Sequence, residues 1–571
     1  MRRNEPGPTI PLSQEIHAMK YRLDNESFEE CVYRIANALK DDDDHYYMFK
    51  DILMDMRFLP AGRVQAAMGS PRATTAYNCF VSGLIEDSMD SIMDAAKDAA
   101  ETMRRGGGIG YDFSRLRPRG DLIKSLDSRA SGPISFMAIF DAVCQTIASA
   151  GHRRGAQMGV LRIDHPDIED FIRAKHNSDK LTGFNVSVGV TDHFMECLKT
   201  GKKFPLVWQG TVYRYIDPAP LWDQIMRSTW DWAEPGVLFI DRINEMNNLW
   251  YCEEIEATNP CGEQPLPPYG ACLLGSFNMV KYIKFREGGK PVFDLEGFIT
   301  DIPTVVRAMD NVIDRTVYPL PQQEREAKAK RRMGLGVTGM ANALEVLGHS
   351  YGSPQYIEVQ SLILATLRDE CYRTSALLAK EKGAFPLFHG SYCSGEFILN
   401  LAEDVQELIR THGIRNSHLT SIAPTGTISL TADNVSSGIE PPYLLYYDRT
   451  IQTFNGPIVE RVSDYAYGKW GVEGKTANSI TAQDHLRVLA NAQQYVDSAV
   501  SKTCNVGDDV SFEEFKLLYE NGWALGCKGL TTFRASGKRF GIFNAPEAEK
   551  EEAKAEACTF DVATGIRTCE I

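Results

Sequence analysis

The segment ATNPCGEQPLPPYGACLLGSFNMV (257–280) constrains this chain more than any other. Pro260, Gly262, Pro265, Pro267, Pro268 and Gly270 forbid a helix there and predict a constrained loop. Asn259, Cys261 and Glu263 alternate by two, and in an extended backbone residues spaced by two project to one side. An amide, a thiol and a carboxylate would then share one face. A proline-rich surface turn with an incidental cysteine has the same composition. Spacing alone leaves both readings open.

The rest of the chain narrows the setting. At 571 residues it is long enough for several domains or for one large α/β domain with appendages. A net charge of −15 argues against a nucleic-acid polymer as partner. Small anionic ligands stay open to it, because local arginines or helix N-termini can hold them. No uncharged apolar run of membrane-spanning length occurs, and MRRNEPGPTIPLSQEIHAMKYR lacks a signal-peptide core, so the expected location is the cytoplasm. Thirteen cysteines should there be mostly reduced. Without a C-x-x-C pair or a tight Cys/His cluster, a structural zinc site is not expected.

The first sixty residues read as helical, with the polar run Asp41 to Asp44 between two amphipathic stretches. From Ala73 onward β-rich runs alternate with helical ones, the pattern of an α/β domain. One helix is legible in detail. Asp87 or Ser88 can cap it, Met89, Ile92, Met93, Ala96, Ala100 and Met103 fall on one face, and Gly106 to Gly108 stop it. The run GGGIG (106–110) follows a helix, not a strand, and so reads as that stop rather than as a dinucleotide loop. Further helices are predicted at 134–149, 219–232, 356–382 and 482–502, and strands at Asn185 to Val190, Val237 to Ile240 and Leu419 to Ala423. The last of these runs into PTGTIS, a strand turning into a helix whose N–H groups can bind phosphate. Ala423, Thr425, Gly426 and Thr427 are the candidates, although such turns are also common for structural reasons alone. Near the end, APEAEKEEAKAEA (545–557) reads as a linker or frayed helix, followed by Cys558 and Cys569.

The order of motifs then points to a family. NPCGE with PYGACLLGS resembles the finger loop of ribonucleotide reductases, in the form typical of their cobalamin-dependent class. RFLPAGR (57–63), YNCFVSG (77–83), RRGAQMGVLRIDHPDIEDFI (153–172), EPGVLFIDRIN (234–244), RRMGLGVTGMA (331–341), APTGTIS (423–429) and SGIEPPY (437–443) agree with it in order, between about residues 10 and 535. The resemblance implies a ten-stranded α/β barrel with a central finger loop at 61–543, a helical N-terminal region at 1–60 and a flexible redox tail at 544–571.

It also implies roles. Cys261 would carry a thiyl radical that abstracts the ribose 3′ hydrogen, Glu263 would take the 3′-hydroxyl proton, and Asn259 would hold the ribose hydroxyls or that carboxylate. Cys79 and Cys272 would be the dithiol that supplies two reducing equivalents, although nearly two hundred residues separate them. Cys558 and Cys569 would pass electrons to that pair from thioredoxin or another dithiol. Arg115 and Arg117 after one helix, and Arg153, Arg154 and Gln157 in a loop at 152–158, would link a deoxynucleotide or ATP effector to the substrate. The helix from 88 to 105 resembles the one that pairs in homodimeric members.

Class I large subunits receive their radical from a second protein through adjacent tyrosines, and Thr531 and Thr532 stand where those would fall. No glycyl-radical motif appears either, which leaves adenosylcobalamin as the implied cofactor. Two alternatives outside this chemistry are a silent nucleotide sensor on the same fold and a dithiol redox protein. The intact cysteines speak against the first, and the missing C-x-x-C against the second.

Overall fold

A computed structural model describes residues 6–534 except 124–125, 150–152, 155, 177–179 and 454–455, together with 536–537 and the short strands Thr559–Asp561 and Ile566–Thr568. Five parallel strands come first: β1 (Cys79–Val81), β2 (Gly108–Asp112), β3 (Gln157–Arg162), β4 (Phe184–Val190) and β5 (Gly236–Phe239). Their interiors are buried on both faces, as parallel strands covered by helices must be. In β4 (FNVSVGV) every residue is buried.

A second parallel set follows: β6 (Leu274–Asn278), β7 (Gly334–Thr338), an extended run at 419–422, β8 (Thr503–Asn505) and β9 (Gly529–Phe533). The run at 419–422 joins its neighbours through the parallel bridges Leu335↔Thr420 and Ile422↔Val500. The two halves meet antiparallel at both seams. At one, Val237 pairs with Leu530 and Leu238 with Gly529; at the other, Ala271–Cys272, which leads into β6, pairs with Phe80 and Cys79. The result is a closed ten-stranded α/β barrel of two five-stranded halves.

Helices Pro11–Tyr21, Phe28–Leu39 and Asp43–Met54 form the N-terminal region; the apolar faces of the second and third continue the barrel core, while Leu12 and Ile16 of the first pack with Leu430 and Val462 in a separate cluster. Asp42 caps the third helix through the His45 N–H (2.8 Å). Asp41 accepts from Arg307 and Lys382, both at 2.7 Å, so the acidic run serves as a cap and an anchor.

Most predicted elements appear within a residue or two: Pro218–Trp232, Pro354–Lys382 and, capped by Ser88, Met89–Arg104, whereas the helix predicted at 134–149 spans Pro133–Thr146 and gives way to the strand Ala148–Ser149. Two expectations need correction. The helix expected over 482–502 ends at Gln493. The buried Asp497 carboxylate accepts from the N–H groups of Leu419 (2.7 Å) and Thr420 (3.1 Å), drawing the following residues into the barrel as strand. On Met89–Arg104 the buried face is Ile92, Ala95, Ala96, Ala99, Thr102 and Met103, while Met89 and Met93 stand exposed. Among the described residues no helix is long and apolar enough to cross a membrane.

Candidate active site

Between β5 and β6 the chain enters the barrel as a hairpin. Ala257 pairs with Leu266 and Thr258 with Pro265, leaving 259–264 as the tip. Asn259 closes that tip: its backbone N–H donates to the Gln264 carbonyl (3.0 Å), and its side-chain oxygen accepts from the Gln264 N–H (3.0 Å). Gly262 turns the chain at φ +81°, a conformation that favours glycine. The tip is thus a tight turn, not the extended run the spacing suggested, and the turn brings Asn259, Cys261 and Glu263 together.

Both half-barrels hold the hairpin. Asn185 on β4 donates to the Pro260 carbonyl (3.1 Å). From the other half, the Ala499 N–H (2.9 Å) and the Ser421 hydroxyl (3.0 Å) donate to the Glu263 carbonyl. On β2 the hairpin passes so close that a side chain at Gly110 would place its Cβ 1.8 Å from the Thr258 carbonyl oxygen. The GGGIG run therefore does two jobs, a helix stop at Gly106 and a bare strip of barrel wall at Gly110. Asn185, Ser421 and Ala499 were not anticipated, since nothing local in the sequence marks them.

Asn259 and Glu263 are fully buried. The Asn259 Nδ2 and both Glu263 carboxylate oxygens lack hydrogen-bond partners, an arrangement that folded proteins seldom leave without a use. Burial pushes Glu263 up to about 7. Cys261 is half-buried and lines a cleft of about 1050 Å³ together with residues from β4, β5, β8 and β9.

Cys79 and Cys272, far apart in sequence, are direct cross-strand partners. Antiparallel partners have Cα atoms about 4.5–5.5 Å apart, inside the span a disulfide bridges. Both thiols are buried. Burial, then the Glu263 charge, pushes Cys79 up to about 12; burial, then Cys79, pushes Cys272 well above its ordinary value. At neutral pH both are therefore protonated and able to give a proton to a bound group.

Ala423, Thr425, Gly426 and Thr427 line a second cleft of about 370 Å³, where the run at 419–422 turns into the helix Gly426–Thr431. Thr425 has φ +54°, and its hydroxyl accepts from the Gly438 N–H (2.7 Å). Gly62, Asn78 and Ser276 complete the wall, so this cleft adjoins the strand that carries Cys79.

Other expected residues are placed differently. Arg115 pairs with Glu256 (2.9 Å) and Glu86 (3.4 Å), and Arg117 with Asp87 (2.6 Å). Gln157 opens β3 rather than lying in a loop. Its buried amide accepts from the Tyr111 hydroxyl (2.8 Å) and donates to the Phe140 carbonyl (3.3 Å), which makes it a core residue. Arg153–Arg154 is a two-residue strand paired with Ala148–Ser149. Cys558 and Cys569 lie outside the described residues, on either side of the hairpin Thr559–Asp561/Ile566–Thr568. Thr531 lines the large cleft, and Thr532 points away from it to the Tyr519 hydroxyl (2.9 Å).

Comparison with known proteins agrees with this barrel. The chain is 35% identical over 539 residues to a vitamin B12-dependent ribonucleoside-diphosphate reductase of Thermoplasma acidophilum, covering 89% of this chain and 67% of that protein. It is 33% identical over 584 residues to one from Mycobacterium tuberculosis, covering 95% and 81% respectively. A ribonucleoside-diphosphate reductase subunit alpha of Chlamydia muridarum is 27% identical over 468 residues, covering 71% and 44%. Residues 77–467 and 474–533 match the barrel domain of ribonucleotide reductase, and the chain belongs to that family.

Proposed function

We propose that this chain is a cobalamin-dependent ribonucleotide reductase that converts ribonucleotides to 2′-deoxyribonucleotides at the finger tip. One observation carries the assignment of residues: a half-buried thiol on a cleft, an uncommitted buried carboxylate and amide beside it, and two opposed buried cysteines within electrostatic reach.

In this reading a sulfur-centred radical on Cys261 takes the 3′ hydrogen, forming S–H and leaving the radical on C3′. Glu263 takes the 3′-hydroxyl proton, and Asn259 orients the ribose or that carboxylate. The 2′-hydroxyl leaves as water with a proton from the Cys79/Cys272 pair. The pair's second hydrogen goes to C2′, the pair closes to a disulfide as its two electrons pass to the ribose, the Glu263 proton returns to O3′, and the Cys261 hydrogen returns to C3′ to restore the sulfur radical. Burial keeps the uncommitted carboxylate away from water. Ala423, Thr425, Gly426 and Thr427 bind the substrate's phosphates.

Relatives named vitamin B12-dependent support adenosylcobalamin as the cofactor. The large cleft suits it. Val186, Val237, Leu238 and Leu530 would hold its apolar faces, and Gly236 and Gly529 leave room at the wall. When bound, adenosylcobalamin supplies the radical equivalent that removes the Cys261 thiol hydrogen. Threonines at 531 and 532 offer no tyrosine pair for a radical arriving from another subunit.

Cys558 and Cys569 re-reduce the buried pair and are themselves reduced by thioredoxin or a similar dithiol. A deoxynucleotide or ATP effector binds at the segments that carry Arg115, Arg117, Arg153 and Arg154, where Arg115 and Arg117 can exchange their carboxylate partners for phosphate. The chain works in the cytoplasm as a homodimer through Met89–Arg104, whose exposed Met89 and Met93 favour a covered face.

The test is reduction of CDP and of CTP by the purified chain with dithiothreitol, with and without adenosylcobalamin. Product only with the cofactor is expected, and the better substrate fixes the phosphate state. Product only after adding a metal-loaded radical-generating subunit would overturn the cofactor reading.

A further inference from the structure

The large cleft has one wall that ribose reduction itself does not use. It is formed by β8 and β9, which pair in parallel with Thr503 beside Thr531 and Cys504 beside Thr532. Alternation along a strand puts Thr503 and Asn505 on one face and Cys504 on the other. Thr503, Asn505 and Thr531 line the cleft, whereas Cys504 is buried and Thr532 turns to Tyr519.

Asn505 is only 7% exposed, and its Nδ2 has no acceptor. A buried amide donor left unpaired is costly, and folded proteins keep few of them.

The support beneath Asn505 is stiff. Lys502, with its side chain fully buried, donates to the Glu440 carboxylate (2.6 Å) and to Nδ1 of His485 (3.0 Å). The other Glu440 oxygen accepts from the Thr503 N–H (2.6 Å). His485 Nε2 lies 3.3 Å from the Ala477 carbonyl, so that nitrogen carries the ring proton and Nδ1 is left to accept from Lys502. These bonds fix the backbone two residues before Asn505. The amide is thus held in place by strand and ion pair, with its own donor unspent.

We propose that Asn505 is a cofactor-binding residue: its Nδ2 donates a hydrogen bond to the corrinoid cofactor and helps set how that cofactor sits relative to Cys261. Lys502 and Glu440 are positioning residues for the strand that presents it. The proposal rests on the adenosylcobalamin reading. Its chemistry follows from what such a cofactor offers, because a corrinoid is rimmed with carboxamide oxygens and its adenosyl group carries ring nitrogens. Each is an acceptor for a lone N–H donor.

The experiment is equilibrium binding of adenosylcobalamin and, separately, of hydroxocobalamin to the full chain, read by quenching of tryptophan fluorescence. It compares wild type with Asn505→Ala and with the near-isosteric Asn505→Asp, which keeps the side-chain volume. CDP affinity and melting temperature serve as folding controls. One lost hydrogen bond of ordinary strength corresponds to about a tenfold weaker Kd.

A loss of that size in both variants, with CDP affinity kept, is the expected result. Loss with both cofactors places the contact on the corrin amides, and loss with adenosylcobalamin alone places it on the adenosyl group. Wild-type binding that Asn505→Asp and Asn505→Ala both retain overturns the Asn505 assignment alone. A wild-type chain that binds neither cobalamin overturns the cofactor reading and this proposal with it.

Discussion

Replacing Glu263 with glutamine separates what the finger tip does for chemistry from what it costs the fold. The carboxyl is fully buried, neither oxygen is hydrogen-bonded, and burial raises it from an ordinary 4.5 to about 7. That difference is about 3 kcal/mol against the charged form, at 1.36 kcal/mol per pH unit. Below pH 4.5 the folded and unfolded chains both carry the proton. Between 4.5 and 7 only the folded chain keeps it, so stability falls as pH rises through that window, and the full cost is present above 7. Glu263→Gln removes the charge while leaving a polar group equally short of partners. The variant should therefore match wild type near pH 4.5 and exceed it at pH 8 by up to ~3 kcal/mol.

Activity should move the other way. A general base works only when ionised, so wild-type kcat/KM should climb about tenfold from pH 6 to pH 8, as the ionised fraction rises from roughly a tenth to nine tenths. The variant should lose about 10²–10⁴-fold and keep no such limb. Urea unfolding at pH 5 and pH 8, with kcat/KM between pH 5.5 and 8.5, measures both. A variant no more stable at pH 8, or one whose residual activity keeps the same rise, would refute the reasoning.

Gly110→Ala should lower the melting temperature and turnover together, because its Cβ meets backbone at 1.8 Å and overpacking of this kind costs about 1–3 kcal/mol or more. Gly189→Ala, whose nearest neighbour would be an ordinary 3.6 Å away, should change little in the same melting assay. In a single turnover without reductant, wild type should form about one deoxynucleotide per chain and a Cys79–Cys272 disulfide visible by peptide mapping. Cys272→Ser should form neither, and a disulfide elsewhere would contradict the pairing. Replacing Cys558 and Cys569 with serine should spare activity with dithiothreitol and lose it with thioredoxin; equal loss with both reductants would mean the tail is structural.

Local patterns in the sequence carried much of the fold. Pro and Gly marked the loop at 260–270, Ser88 and the glycines bounded Met89–Arg104, and the apolar run at 184–190 became β4. Patterns fail where distant groups decide the outcome. Nothing near 494–502 says that the Asp497 carboxylate will take two N–H groups from residues 419 and 420 and end a helix. On Met89–Arg104 a hydrophobicity stripe favours methionines, but close approach to the barrel favours the alanines, and Met89 and Met93 stay outside. Family resemblance puts Gln157 in an effector loop, whereas Tyr111 and Phe140, distant in sequence, hold its amide in the core. The Cys79–Cys272 pairing came from family resemblance and is matched by strand register, which neither cysteine's neighbours in sequence could specify. Asn185, Ser421 and Ala499 hold the finger through single bonds from three separate segments, and a linear reading offers no signal for such residues.

The central claim is that Cys261 exchanges hydrogen with the 3′ carbon of the ribose. The most direct test is deoxynucleotide formation from [3′-²H]CDP or CTP against the unlabelled nucleotide, with adenosylcobalamin and dithiothreitol, by wild type and by Cys261→Ser. Wild type should turn over the deuterated nucleotide more slowly and keep the label at C3′ of the product, while Cys261→Ser should bind the nucleotide with unchanged affinity and form no product. Deoxynucleotide formation by Cys261→Ser would contradict the account.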